Sequence, residues 1–171
     1  NITAVASDAD ATTNAITYSL QSSDGGRFAI DANTGIVTVA GAIDREADGA
    51  SRNITVRATS ADGSFTDQVF SIAINDVDEF DVGPVTDSNA TANAVNENAA
   101  NGTVVNITAT ASDADATTNA ITYTLDDAAG GRFAIHATTG VVTVADGTLL
   151  DRESAASHGI TVRATSADGS F

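Results

Sequence analysis

Short runs in which apolar and polar residues alternate with a period of two recur along the whole chain. They fall at residues 2–6, 16–20, 36–39, 54–58 and 69–74, and again at 86–95, 103–111, 121–125, 132–135, 141–144 and 159–164. Val, Ile and Thr dominate them, and clusters such as Ser23-Asp24-Gly25-Gly26 and Asn33-Thr34-Gly35 bound them. Alternate side chains of an extended backbone point to opposite faces, so each run predicts a strand with one buried face. No stretch sustains a 3.6-residue period. The expected fold class is therefore all-β, built as Greek-key β-sandwiches of two antiparallel sheets.

The runs recur because the sequence does. SDADATTNAITY stands at residues 7–18 and again at 112–123, and ITVRATSADGSF at 54–65 and again at 160–171. Self-similarity at one long interval marks a tandem array. Two domains are expected, residues 1–79 and 80–171. Laid over each other, the copies predict a first unit without its first strand and a second without its last, because nothing after residue 171 matches residues 66–76. A sandwich short of an edge strand exposes unpaired backbone, so the sequence reads as a window on a longer array, with strand donation from a neighbouring molecule as the alternative. The predicted boundary is the run NDVDEFDVGP at residues 75–84, which holds four acidic residues and the sole proline.

Charge narrows the function. The chain carries 23 acidic residues against seven arginines, a formal charge of -16, and has no Lys, Cys, Met or Trp. Such a surface repels nucleic acid and anionic membranes and favours cations. The missing residue types exclude disulfides, zinc-thiolate sites and Schiff-base lysines. No apolar run approaches the roughly 18 residues of a membrane span, so no membrane insertion by this segment is expected. The lack of cysteine is compatible with bacterial surface proteins.

The acidic residues come in ligand-like spacings: Asp8 with Asp10, Asp44 with Glu46, Asp76 with Asp78, Asp113 with Asp115, and Asp151 with Glu153. On extended backbone, residues two apart aim two carboxylates the same way, which suits a hard cation. Calcium, with six to eight oxygen ligands and tolerant geometry, fits such a set better than magnesium. No local calcium loop is present. An EF-hand laid on Asp8 meets Thr13 at its glycine position and Ser19 at its bidentate glutamate. The site must be assembled from separate segments.

The order of motifs, NEN at residues 96–98, SDADATTNAITY, GGRFAIHATTGVVTV, LDRE at 150–153 and ITVRATSADG, resembles a cadherin repeat, in particular the cadherin-like repeats of large bacterial surface and secreted proteins. The resemblance covers essentially the whole chain. It implies calcium ions between successive repeats that stiffen the array. Carried over motif by motif, it assigns Asp44 and Glu46 of the first repeat, Asp76, Asp78 and Glu79 of the connecting segment, and Asp113, Asp115, the backbone oxygen of Asn119 and Asp168 of the second. Asp8, Asp10, Asn14 and Asp62 would face a preceding repeat, and Glu97, Asp151 and Glu153 a following one. The segment DVDEF departs from the family's DxNDN, with Asp78 and Phe80 at the Asn positions, so Phe80 is no ligand.

Other features read as structure. Phe28, Phe133, Tyr18 and Tyr123 match as core side chains. His136 and His158 read as surface residues, and Arg45 and Arg152 as surface charge balance. Five Asn-x-Thr triplets, at Asn1, Asn53, Asn89, Asn101 and Asn106, read as composition. No nucleophile elbow appears, so no enzyme is expected. The reading is an extracellular, cell-surface module of an adhesin or fibre whose partners are neighbouring repeats and a homophilic partner. The alternative is a polysaccharide-binding module of a secreted carbohydrate-active protein.

Overall fold

The computed structural model describes all 171 residues. The chain divides into two compact units, Asn1–Asp76 and Val77–Phe171, both almost wholly β.

In the first unit, β1 (Ile2–Thr3), β4 (Ile36–Val39) and β3 (Phe28–Ile30) form one antiparallel sheet in the order β1-β4-β3. The second sheet is β2 (Ile16–Ser22), β5 (Ser51–Ser60) and β6 (Phe65–Ala73), in the order β2-β5-β6. β5 shows why its sequence chooses a strand. Ile54, Val56, Ala58 and Ser60 are buried while the residues between them are not, a period of two that puts the apolar set on the inner face. Ala4, Phe28, Ile54 and Val56 form the core, with Phe70 and Ile72 of β6 packed against it.

The second unit repeats the plan with a different set of edges. β7 (Thr86–Asp87), β8 (Val104–Thr110), β11 (Val141–Val144) and β10 (Phe133–Ile135) form a sheet in the order β10-β11-β8-β7, facing a pair made by β9 (Thr122–Asp127) and β12 (Thr161–Thr165). β7 has no counterpart beside β1, and β6 has none beside β12, as the overlay of the copies predicts. Val105, Val142, Val144 and Leu150 fill one end of the core, and Ala109, Tyr123 and Ala164 the other.

Several elements differ from the pattern-based expectation. The run at 86–95 keeps only two strand residues, because Asp87 Oδ1 accepts the Asn89 N–H and Asn89 Oδ1 accepts the Thr91 N–H, both at 2.9 Å. These side chains offer the backbone a turn in place of a ladder. The run at 2–6 likewise stops at Thr3, since the Ala6 N–H donates to the Tyr18 hydroxyl. A single helical turn, α1 (Arg45–Asp48), is capped by Asp44, whose carboxylate accepts the Ala47 N–H at 2.9 Å. Arg45 is no loose surface charge. It donates to the Ile74 carbonyl and lies 3.7 Å from Asp76.

Each tyrosine of the matched pair has a polar task as well as a packing one. The Tyr18 hydroxyl accepts the Ala6 N–H and that of Tyr123 the Ala111 N–H, both at 3.0 Å. Tyr123→Phe keeps the ring and strands that amide, so it is expected to destabilise the second unit by about 1 kcal/mol, read as a lower denaturant midpoint at unchanged slope. His136 also does more than sit on the surface. Its Nδ1 accepts the N–H groups of Thr138 and Thr139 at 3.3 and 3.2 Å, the role that the Asp31 carboxylate plays toward Asn33 and Thr34.

Two glycines are fixed by close approach. The carbonyls of Gly35 (φ 70°) and Gly140 (φ 69°) accept the N–H groups of Ala4 and Ala109, and a Cβ at either glycine would lie 2.4 Å from the Ala4 oxygen or 2.1 Å from the Ala109 oxygen. Only a residue without a side chain fits.

Candidate metal centre

The SDAD segments do not run as strands. In both copies the first Asp accepts the N–H of the second, Asp8 from Asp10 at 2.9 Å and Asp113 from Asp115 at 3.0 Å. The expected pairing of carboxylates on extended backbone is thus replaced by an Asx turn, which leaves one oxygen of the first Asp and both of the second for other partners. Asp44 and Glu46 also leave the extended arrangement, as N-cap and first-turn residue of α1.

The second unit gathers one group around the buried carboxylate of Asp115. One carboxylate oxygen from each of Asp78, Asp115 and Asp168 lies within 4.8 Å of the others. Asp115 is only 1% exposed, and its two oxygens accept the N–H groups of Glu79 at 3.2 Å and Phe80 at 3.4 Å. The Asn119 side-chain amide donates to the Asp115 backbone carbonyl. Asp168 accepts the Ser170 N–H and hydroxyl at 2.7 and 2.8 Å, while the same hydroxyl accepts the Val82 N–H at 2.8 Å. Asp113 Oδ2 is buried and has no hydrogen-bond partner.

Two further groups keep the same 4.8 Å spacing, Asp8 with Asp10 and Asp62 in the first unit, and Glu97 with Asp151 and Glu153 in the second. In the former, the Ser60 hydroxyl reaches Asp8 and the Thr13 carbonyl. In the latter, Glu97 accepts the Arg152 N–H at 3.1 Å, and Asp151 accepts from Glu153 and Ser154. Asn14, at the exposed end of the first SDADATTN segment, corresponds to Asn119. Asp76 belongs to the first unit, beside Arg45. Sequence reasoning passed over Ser60, Ser166 and Ser170. Ser60 and Ser166 are buried polar residues, and Ser166 donates to the Thr118 carbonyl at 2.8 Å. Their signal was the duplicated TSADGS itself.

The charges in the Asp115 group are mutually unfavourable. Asp78 is pushed up to about 6 by its hydrogen bond to Asp115, by burial, and by repulsion from Asp168, Asp115 and Asp113. Asp168 is lowered, chiefly by the Ser170 N–H. Because Asp78 binds its proton more tightly when folded, its linkage term favours folding fully below about pH 4 and loses that contribution as pH rises through about 6. Metal-free second unit is therefore expected to lose stability between pH 4 and 6, and Asp78→Asn to flatten that slope, as chelator-treated denaturation curves across this window would read.

An all-oxygen donor set, a buried carboxylate oxygen without a partner and a carboxyl forced toward its protonated form fit a hard divalent cation. The exposed rings of Phe65 and Phe171 are not bare stacking faces, for the guanidinium carbons of Arg57 and Arg163 lie 3.8 and 4.1 Å from their centres.

The sequence profile of the Cadherin domain matches residues 1–75 and 92–171. Human Protocadherin Fat 4 is 38% identical over 167 residues, 95% of this chain and 3% of that protein, and human Protocadherin Fat 1 is 34% identical over 161 residues, 93% and 3%. The chain therefore spans a small part of these relatives. Among solved structures, mouse Cadherin-23 EC22-24 superposes with a TM-score of 0.75 at 30% identity, covering 99% of this chain and 53% of that one. This chain belongs to the cadherin family, as two tandem cadherin domains. As a family, cadherin domains bind calcium and belong to extracellular adhesion proteins rather than enzymes. No helix is long and apolar enough to cross a membrane. These relatives are animal proteins and lend the bacterial setting no support.

Proposed function

We propose that this chain is a calcium-stiffened spacer of a cell-surface adhesion protein or fibre, with repeats at residues 1–79 and 80–171. The observation that carries the reading is the Asp78–Asp115–Asp168 group with the orphaned Asp113 oxygen beside it. Asp44 and Glu46 are the ligands supplied by the first repeat, Asp76, Asp78 and Glu79 those of the connecting segment, and Asp113, Asp115, the Asn119 carbonyl and Asp168 those of the second repeat. Asp8, Asp10, Asn14 and Asp62, and Glu97, Asp151 and Glu153, are half-sets completed by neighbouring repeats. Calcium supplies positive charge to carboxylates that otherwise repel one another. With ligands drawn from two repeats, bending requires breaking coordination, so the ion sets the stiffness of the array.

The test is a calorimetric calcium titration of the chain against Asp113→Ala/Asp115→Ala. Saturable binding that the double substitution removes supports the assignment. Equal binding by both would refute it. Glycan-array binding independent of calcium would instead favour a polysaccharide-binding module.

A further inference from the structure

The single helical turn α1 has no apolar anchor. Its sequence, Arg-Glu-Ala-Asp, offers no large side chain to the core, and one isolated turn fixes too many dihedrals for too few hydrogen bonds to persist by itself. Its shape is imposed by the carboxylate of Asp48, whose side chain is only 5% exposed. Asp48 Oδ1 accepts from Arg27 Nη2 at 2.7 Å and from Arg52 Nη2, while Oδ2 accepts from Arg27 Nε at 3.1 Å and from the Asp44 N–H at 3.0 Å. An ionised carboxylate has about four acceptor sites, and all are spent here. Arg52 is oriented in turn by Asp24, whose Oδ2 lies 3.5 Å from its Nε. Of the acids in the run DREAD, Asp48 is therefore the one turned inward.

The same carboxylate fixes Asp44. The Asp44 N–H is held by Asp48 Oδ2, its carbonyl accepts the Asp48 N–H at 2.7 Å, and its Oδ1 accepts the Ala47 N–H. Arg45 secures the turn a second time through the Ile74 carbonyl. The second unit repeats LDRE without this clamp. No Asp or Arg stands between Glu153 and Arg163, and Arg132, the counterpart of Arg27, donates to the Leu149 and Ala129 carbonyls instead.

We propose that Asp48, clamped by Arg27 and Arg52, is a positioning residue that preorganises the ligand turn of the first repeat and is not itself a ligand. This rests on the reading of Asp44 and Glu46 as calcium ligands. With the turn already ordered, Asp44 presents Oδ2 in the direction that its capping bonds set. Without the clamp the turn must be ordered as the ion binds, and affinity falls by that cost. Two arginines thus strengthen the binding of a cation whose sign they share.

The experiment is a calorimetric calcium titration of the full chain, with amide exchange of Asp44, Ala47, Asp48 and Gly49 followed in chelator. Asp44→Ala/Glu46→Ala marks the calcium binding that the turn serves. Asp48→Asn is expected to weaken that binding about 10–100-fold, the range in which partners of metal ligands act. It should also speed exchange of the four amides while β5 keeps its protection. Arg52→Ala leaves the Arg27 pair in place and separates positioning from charge. Removing a positive charge tightens calcium binding by electrostatics alone, whereas the clamp predicts weaker binding. Asp67→Asn, the same loss of charge at the exposed Arg57 pair, and Val56→Ala, which destabilises the same unit through its core, are expected to bind as the parent does. Parental affinity in Asp48→Asn, or unchanged or tighter binding by Arg52→Ala, overturns the proposal and leaves the calcium reading standing. An equal loss of affinity in Val56→Ala, or faster exchange throughout β5 in Asp48→Asn, overturns it too, because the clamp would then act only through the stability of the unit. Calcium binding unaltered by Asp44→Ala/Glu46→Ala refutes the reading of those two residues as ligands, and the positioning role with it.

Discussion

Asp115→Ala is expected to abolish the calcium-dependent stabilisation of the second unit. An ion that binds only the folded state adds RT ln(1 + [L]/Kd), about 2.7 kcal/mol at a hundredfold excess over Kd. For a unit of this size that is roughly 10–20 °C in melting temperature. Asp115 is the residue on which this should hinge. It is the buried member of the group, and its orientation is fixed by the Glu79 and Phe80 N–H groups. Without calcium the substitution has opposing effects: it strands two amides, at about 1–2 kcal/mol, and relieves the crowding that drives Asp78 toward protonation. Thermal unfolding with and without calcium separates the two. A variant that melts early in chelator yet gains as much as the parent on adding calcium would remove Asp115 from the ligand set. Asp115→Asn, which keeps an acceptor for one amide, should fold more like the parent and still lose the calcium response.

Gly140→Ala is expected to cost on the order of 3–5 kcal/mol, enough to leave the second unit partly unfolded at ambient temperature. Two penalties coincide. The backbone sits at φ 69°, and the new Cβ would lie 2.1 Å from a backbone oxygen that cannot rotate away. Moving that oxygen means breaking the Ala109 N–H to Gly140 carbonyl bond. Gly159 offers the control. It has ordinary φ and nothing within 4 Å of an added Cβ, so Gly159→Ala should be neutral or slightly stabilising. Denaturant melts of both variants give the comparison, and equal midpoints would show that the contact at Gly140 relaxes freely.

Alternation and duplication made the sheet plan legible. β5 could be read from ITVRATS alone, because Ile54, Val56 and Ala58 fall at every second position on its inner face. The unequal edges could be read from comparing the copies. Local side-chain turns were harder to see. Asp87 and Asn89 end β7 after two residues, and Asp44 caps READ as a helical turn, although nothing in the apolar pattern marks either. Such effects depend on one carboxylate or amide finding one N–H, which leaves no periodic trace. Of the site, the acidic motifs were visible, but the reason they converge was misplaced. Asp113 and Asp115 are organised by an Asx turn and by amides some 35 residues upstream in the chain, not by strand pleating.

The placement of the arginines has a colloidal consequence. Arg27, Arg45, Arg52, Arg57 and Arg163 are each tied to a carboxylate within their own unit, and Arg132 to the carbonyls of Leu149 and Ala129. Little positive charge is left to face outward from a chain of net charge -16. Two such molecules lying side by side meet like sign with like sign, and at physiological ionic strength that repulsion reaches about 8 Å before salt screens it. On a crowded surface, neighbouring copies would keep one another at a distance, as bristles of a charged brush do.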